Sequence, residues 1–182
     1  MIKVYFPIGK VCTAAFAANE AKLRTKNYPF DWSGNSYRTV SYILDNGLDK
    51  IFDDAEIANS DLFEGKQIWD KTYKMMFVHE TEDKLSTIKK KYLKRYNNII
   101  NDIKNGDIIY LIQSSKCEKK LYDHYCELNP SFKSNVLIEE NMDDNNIESI
   151  KESILKINPN IKIQVTSHVI WEELLEELKT LA

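Results

Sequence analysis

Residues 73–112 read YKMMFVHETEDKLSTIKKKYLKRYNNIINDIKNGDIIYLI, and the change of period inside this stretch decides the class of fold. From Tyr73 to His79, the side chains Met75, Met76, Phe77 and Val78 form an unbroken apolar run of strand length. Between Asp83 and Asn105, Leu85, Ile88, Tyr92, Tyr96, Ile99 and Ile103 recur at steps of three and four. That spacing predicts one long helix with an apolar stripe. Asn105-Gly106 ends it, and Asp107 to Ile112 predicts the next strand.

The same alternation continues in both directions. Downstream, the pattern predicts a helix over 116–128 ahead of Asn129-Pro130 and a strand over 135–138. A helix over 146–157 follows, closed by Asn158-Pro159-Asn160, then a strand over 161–165 and a last helix with Trp171, Leu174, Leu175, Leu178 and Leu181. Upstream, residues 2–7 are almost continuously apolar, as a buried parallel strand is. Gly9 ends that strand, and a helix of small residues is predicted from Thr13 to Leu23. Residues 24–35 read as irregular; Ser33-Gly34-Asn35-Ser36 offers a turn and an N-cap for a helix over 36–46, which Asn46-Gly47 stops. Residues 48–72 show no clear period and predict a long irregular excursion. Strands alternating with helices predict a single α/β domain over 1–182. Its sheet is expected to be mostly parallel with helices on both faces, a three-layer, Rossmann-like arrangement.

Composition narrows the function classes. The chain has 182 residues, 43% hydrophobic and 29% charged, with net charge −3. No basic field invites nucleic acid, and no apolar run reaches the length of a membrane span, so neither partner is expected. The start, Met1-Ile2-Lys3-Val4-Tyr5-Phe6-Pro7, lacks the pattern of a signal peptide. Three irregularly spaced cysteines make no disulfide framework. A reducing cytoplasm is therefore the expected compartment. The abundance of Lys, Asn and Ile suggests an AT-rich genome. The five glycines form neither a dinucleotide fingerprint nor a P-loop, and no cofactor is expected.

Three places carry candidate chemistry. Cys12, in Gly9-Lys10-Val11-Cys12, stands where the first strand hands over to the first helix. In open α/β sheets ligands bind beyond the carboxyl ends of strands, and a helix N-terminus favours thiolate, the nucleophilic form. The alternative is a small buried hydrophobe among Ala14, Ala15 and Ala17. Tyr28-Pro29-Phe30-Asp31-Trp32 sets two large aromatic rings and a carboxylate on a stretch stiffened by proline. It reads equally as a ligand wall or as an aromatic plug with Asp31 capping the next helix. His79 ends the Met75–Val78 strand, at the sheet edge that Cys12 shares if the strands are parallel, and would there be the base that activates the thiol.

Taken together these residues resemble a domain family described as putative papain-like cysteine peptidases, seen in bacteria and large DNA viruses, often near glycan-handling genes. The resemblance rests on Gly9-Lys10-Val11-Cys12-Thr13-Ala14-Ala15, Leu23-Arg24, Pro29-Phe30-Asp31-Trp32, Val78-His79 and the helix from Tyr92 to Ile100, over roughly residues 2–115. It implies a hydrolase or acyl-transfer enzyme in which Cys12 attacks an acyl carbon, His79 moves the proton and Asp31 orients the imidazole. Arg24, Phe30, Trp32 and Arg95 would bind a small-molecule, peptide or glycan substrate. The family pattern carries further arginines on the helix after the His; here Arg95 remains, with Asn97 and Asn98 nearby. A papain-like domain sets its Cys helix before an antiparallel sheet, whereas the alternation in this chain predicts a parallel one. A noncatalytic domain binding glycan or sugar phosphate through Phe30, Asp31, Trp32 and Arg95, or a sugar transferase with Asp31 as base, is the reading from another class.

Other constellations carry less. His168, after the last strand, is a reserve base in the layout of esterases with a Gly-Asp-Ser signature, although that signature is absent. Cys117, His124 and Cys126 match no zinc spacing, and no metal is expected. Lys89-Lys90-Lys91 with Lys94 and Arg95 could touch phosphates but on an acidic chain reads more readily as a solvated helix face, and Glu139 to Asp144 lacks the pattern of a calcium loop.

Overall fold

A computed structural model describes residues 1–8, 12–24, 26–59, 66–80, 84–113, 145–167 and 171–181. The elements are β1 (Lys3–Ile8), α1 (Thr13–Glu20), β2 (Ser33–Gly34), α2 (Tyr37–Asn46), β3 (Ala55–Asn59), β4 (Lys66–Asp70), β5 (Met75–Glu80), α3 (Leu85–Asn105), β6 (Ile108–Gln113), α4 (Asn145–Ile157), β7 (Lys162–Ser167) and α5 (Trp171–Leu181). The helix and strand expected at 116–128 and 135–138 lie outside the described residues. Among the described residues no helix is long and apolar enough to cross a membrane.

The strands form two sheets. β1, β6 and β7 make a parallel sheet in the order β1-β6-β7, with Val4 opposite Ile109 and Phe6 opposite Leu111. Alternate residues feed opposite faces, as the strand period requires. Val4, Phe6, Ile8, Ile109 and Leu111 join a core with Tyr92, Ile99 and Ile103 of α3 and Ile150 and Ile154 of α4. Tyr5, Ile108, Tyr110 and Ile112 join a second cluster with Ala14, Ala17 and Ala18 of α1 and Leu174, Leu175 and Leu178 of α5. The alanines of α1 therefore serve close packing on the sheet. Burial of each large apolar side chain in these clusters contributes about 1.5–3 kcal/mol.

The second sheet corrects the expectation of one mostly parallel sheet. β2-β5-β4-β3 is antiparallel throughout. It also corrects the reading of residues 48–72 as an irregular excursion, because β3 and β4 pair there with Ile57 opposite Ile68. The β5 strand was legible, but its sheet was not: an apolar run buried on both sides reads alike in parallel and antiparallel surroundings. The hairpin was missed because β3 offers small and polar residues, and its one large apolar side chain, Ile57, is exposed.

Helix ends follow local chemistry. Ser36 caps α2, its hydroxyl accepting from Thr39 N–H at 3.1 Å. Gly47 takes φ +86° after the last turn, the conformation glycine adopts without strain. α1 stops at Glu20, before the expected Leu23. Lys22 takes φ +56°, and the N–H groups of Lys22 and Leu23 return to the carbonyls of Asn19 and Ala18, which closes the helix end.

Gly106, past α3, has φ −77° and owes its place to packing. A Cβ there would lie 2.7 Å from Val4 Cγ2 and 2.9 Å from the Asp102 carbonyl oxygen.

Candidate functional site

Cys12 occupies the N-cap position of α1, four residues past the carboxyl end of β1. It is half-buried and not in a disulfide. Its carbonyl accepts from Phe16 N–H at 3.0 Å, so Phe16 sits one turn further along the same face of the helix. Cys12 thus precedes the first turn of α1, where backbone N–H groups lack partners within the helix, and its side chain makes no capping hydrogen bond to them.

The Tyr28–Trp32 segment divides its residues between two environments. Phe30 is core: it is 2% exposed, and its ring lies 5.7 Å from that of Phe6 on β1. Tyr28 meets Phe6 edge-on at 5.9 Å and donates its hydroxyl to Asp102 Oδ2 of α3 at 2.9 Å. Burial, and then Asp102, push the Tyr28 phenol far above its ordinary range. Trp32 turns the other way and stacks edge-on against Phe16 of α1, with ring centres 5.0 Å apart.

Asp31 does not cap the next helix; Ser36 does. The carboxylate is sealed, 0% exposed, and its Oδ2 accepts both Arg24 Nη1–H at 2.7 Å and Tyr28 N–H at 2.6 Å. Burial raises its pKa, against the opposing pull of Arg24, the Tyr28 N–H and Arg95. Arg24 is itself 4% exposed at the side chain, with its guanidinium 5.5 Å from the Tyr28 ring centre. This pair joins two residues that the sequence offered separately, one as a pocket wall and one as an orienting acid.

The backbone of His79 is in β5. Its side chain, like all of His168, Cys117, His124 and Cys126, lies outside the described residues. The premise that Cys12 and His79 share one sheet edge is corrected: β1 belongs to the parallel sheet and β5 to the antiparallel one. What joins the two is the segment between them. Trp32 packs on the Cys12 helix, and the next residue, Ser33, pairs with Phe77, two residues before His79.

A bulge marks that point of β5. Ile68 faces Phe77 and Lys66 faces Glu80, so two steps on β4 match three on β5, and the extra residue falls at Val78-His79. Bulges are used to re-aim side chains and are common next to active sites. The bulge also returns Glu80 to the side of Phe77, and both touch Tyr92. The Phe77 and Tyr92 rings are 4.7 Å apart, and the Tyr92 hydroxyl donates to Glu80 Oε1 at 2.8 Å.

Sequence reasoning missed this support. Glu80 is 2% exposed, and its other oxygen pairs with Lys91. Arg95 lies over the Tyr92 ring, 4.8 Å from its centre, extending the network along α3. Tyr92 and Arg95, three apart on a helix, were a readable signal; Glu80, two residues past the apolar run, was not. Among the described residues no three His, Cys, Asp or Glu side chains gather as a metal site would.

Neither a curated protein nor a solved structure gives a significant match to this chain. A family model does, and its span runs from the first residue of β1 into α4, taking in the Cys12 helix, the Tyr28–Trp32 segment, the bulged strand and the arginine-bearing helix. On that match to residues 3–151, the chain belongs to the family described as "Putative papain-like cysteine peptidase (DUF1796)".

Proposed function

We propose that this protein is a cysteine-dependent hydrolase or acyl-transfer enzyme, with Cys12 as nucleophile and His79 as base. His79 accepts the thiol proton as sulfur attacks an acyl carbon, and returns it to the leaving group. Water then releases the acyl group from sulfur and regenerates the thiol. N–H groups at the start of α1, near Cys12 and Thr13, would meet the charge on the acyl oxygen. Asp31 is the third member, held in place by Arg24 and oriented toward the base. A peptide or a glycan-linked acyl group is the substrate class, with Trp32 and Arg95 beside the reacting centre. The parallel sheet with helices on both faces is, on this reading, the three-layer scaffold that presents Cys12.

One observation carries the reading: residues 28–34 lean on the Cys12 helix through Trp32 and hydrogen-bond into the His79 strand through Ser33. Both elements are thereby set on one segment. The test is alkylation of the native chain with iodoacetamide across pH, followed peptide by peptide. Cys12 should react faster than Cys117 and Cys126, with a midpoint below that of free cysteine, and His79→Asn should abolish the advantage. A Cys12 that reacts no faster than free cysteine at every pH ends the proposal.

A further inference from the structure

We infer that Arg24 and Arg95 form a binding site for an oxyanion, a phosphate or carboxylate group borne by a small ligand. The inference deepens the substrate class proposed above but does not depend on Cys12 or His79.

The buried donors around Asp31 are not used up by the described residues. Arg24 Nε and Nη2, Arg95 Nη1 and Asp31 Oδ1 have no hydrogen-bond partner among the described residues, and each of these atoms is buried. Unmet groups of this kind are costly, charged ones most of all, so their presence calls for an occupant. Donors exceed acceptors in the set, which favours an oxygen-rich anion.

Charge points the same way. Lys91 answers Glu80 and Arg24 answers Asp31, while Arg95 has no carboxylate of its own among the described residues. Arg95 nevertheless lies within electrostatic range of Asp31. Each guanidinium is also packed over a tyrosine ring, Arg24 at 5.5 Å from the Tyr28 ring centre and Arg95 at 4.8 Å from that of Tyr92. A fork fixed in this way loses little freedom on binding and suits the paired oxygens of phosphate or carboxylate.

The experiment compares thermal stability and titration calorimetry of the full chain in chloride with inorganic phosphate, glucose 6-phosphate, and a dipeptide with a free or an amidated C-terminus, all at one ionic strength. At least one oxyanion probe should bind saturably and raise Tm by several degrees, and Cys12→Ala should bind it as well as the native chain. Arg95→Gln should lose the shift, and Arg95→Lys, which keeps the charge but not the fork, should bind about tenfold or more weakly. Phosphate binding without dipeptide binding assigns the site to phosphorylated ligands; preference for the free over the amidated dipeptide assigns it to peptide ends. No difference from chloride with any probe, or a shift retained in folded Arg95→Gln, overturns the inference and leaves ordered water as the occupant. Failure of Cys12 labelling with retained oxyanion binding would remove the thiol chemistry and leave this site standing.

Discussion

Arg24 and Asp31 form an ion pair from which solvent is almost wholly excluded, with Nη1 and Oδ2 2.7 Å apart and the two side chains 4% and 0% exposed. Breaking such a pair on one side strands a charge in the interior. Asp31→Ala should therefore cost about 3–5 kcal/mol in urea unfolding. Replacing both partners together, as Arg24→Met with Asp31→Leu, should recover much of that loss because no lone charge remains. A single substitution costing under about 1 kcal/mol would show that water reaches the pair in solution.

Glu80 and Tyr92 test the anchor of the bulge. Tyr92→Phe removes the hydroxyl and leaves Glu80 Oε1 short of a donor inside the core, for a cost of about 1–3 kcal/mol. If the anchor also fixes the backbone at His79, the pH midpoint of Cys12 alkylation should move in Tyr92→Phe. It should stay put in a surface control such as Lys151→Ala. Loss of stability with an unmoved midpoint would make the anchor structural only.

Asp70 offers a test by pH. It is buried and accepts N–H bonds from Phe52 and Tyr73, tying the turn at Phe52 to the end of β4. Burial nevertheless raises its pKa, with those N–H groups opposing. A raised acid contributes stability that is complete below its unfolded value, about 3.9, and is lost as pH rises through the folded value. The stability of the native chain should accordingly fall from pH 4 upward by more than that of Asp70→Asn. A larger rise in the native chain would mean that the N–H bonds outweigh burial.

What the sequence made legible was local. The stripe on α3 holds because Ile88, Tyr92, Ile99 and Ile103 all face one core, and a period of 3.6 needs no knowledge of what lies opposite. The N-cap at Ser36 and the stop at Gly47 are likewise fixed within a few residues of chain. Pairings across distance were not legible. β3 with β4, the direction of β5, and the bulge at Val78-His79 depend on partners that no window of sequence contains. The site divides in the same way. Cys12 at the start of a helix could be read from Gly9 and the alanines, and Pro29 marked a stiff segment. That Phe30 would turn into the core while Trp32 turned toward α1 is a matter of packing on Phe6 and Phe16, which lie outside the segment.

Gly106 tests how tightly α3 and β1 approach. Gly106→Ala places a methyl group 2.7 Å from Val4 Cγ2 and 2.9 Å from a backbone oxygen. Overpacking of this kind costs about 1–3 kcal/mol. Val4→Ala in the same chain should return part of the loss, but only part, because the Asp102 carbonyl cannot be trimmed. Gly106→Ala as stable as the native chain would show that α3 can move away from β1.

The contact between Trp32 and Phe16 is where the proposed function meets the fold most directly. An edge-to-face pair of this kind contributes about 0.5–1.5 kcal/mol beyond the area it buries. Its position matters more than its size, since Phe16 lies one turn from Cys12 and Trp32 follows Asp31 in the chain. Trp32→Ala and Phe16→Ala should each lower stability modestly, and each should slow the alkylation of Cys12 relative to Cys117. The two effects on rate should overlap, the double variant being little slower than either single one, because both remove the same link between segment and helix. Fully additive rates would mean that the rings act on the thiol separately, and unchanged rates would detach the Pro-Phe-Asp-Trp segment from the chemistry of Cys12.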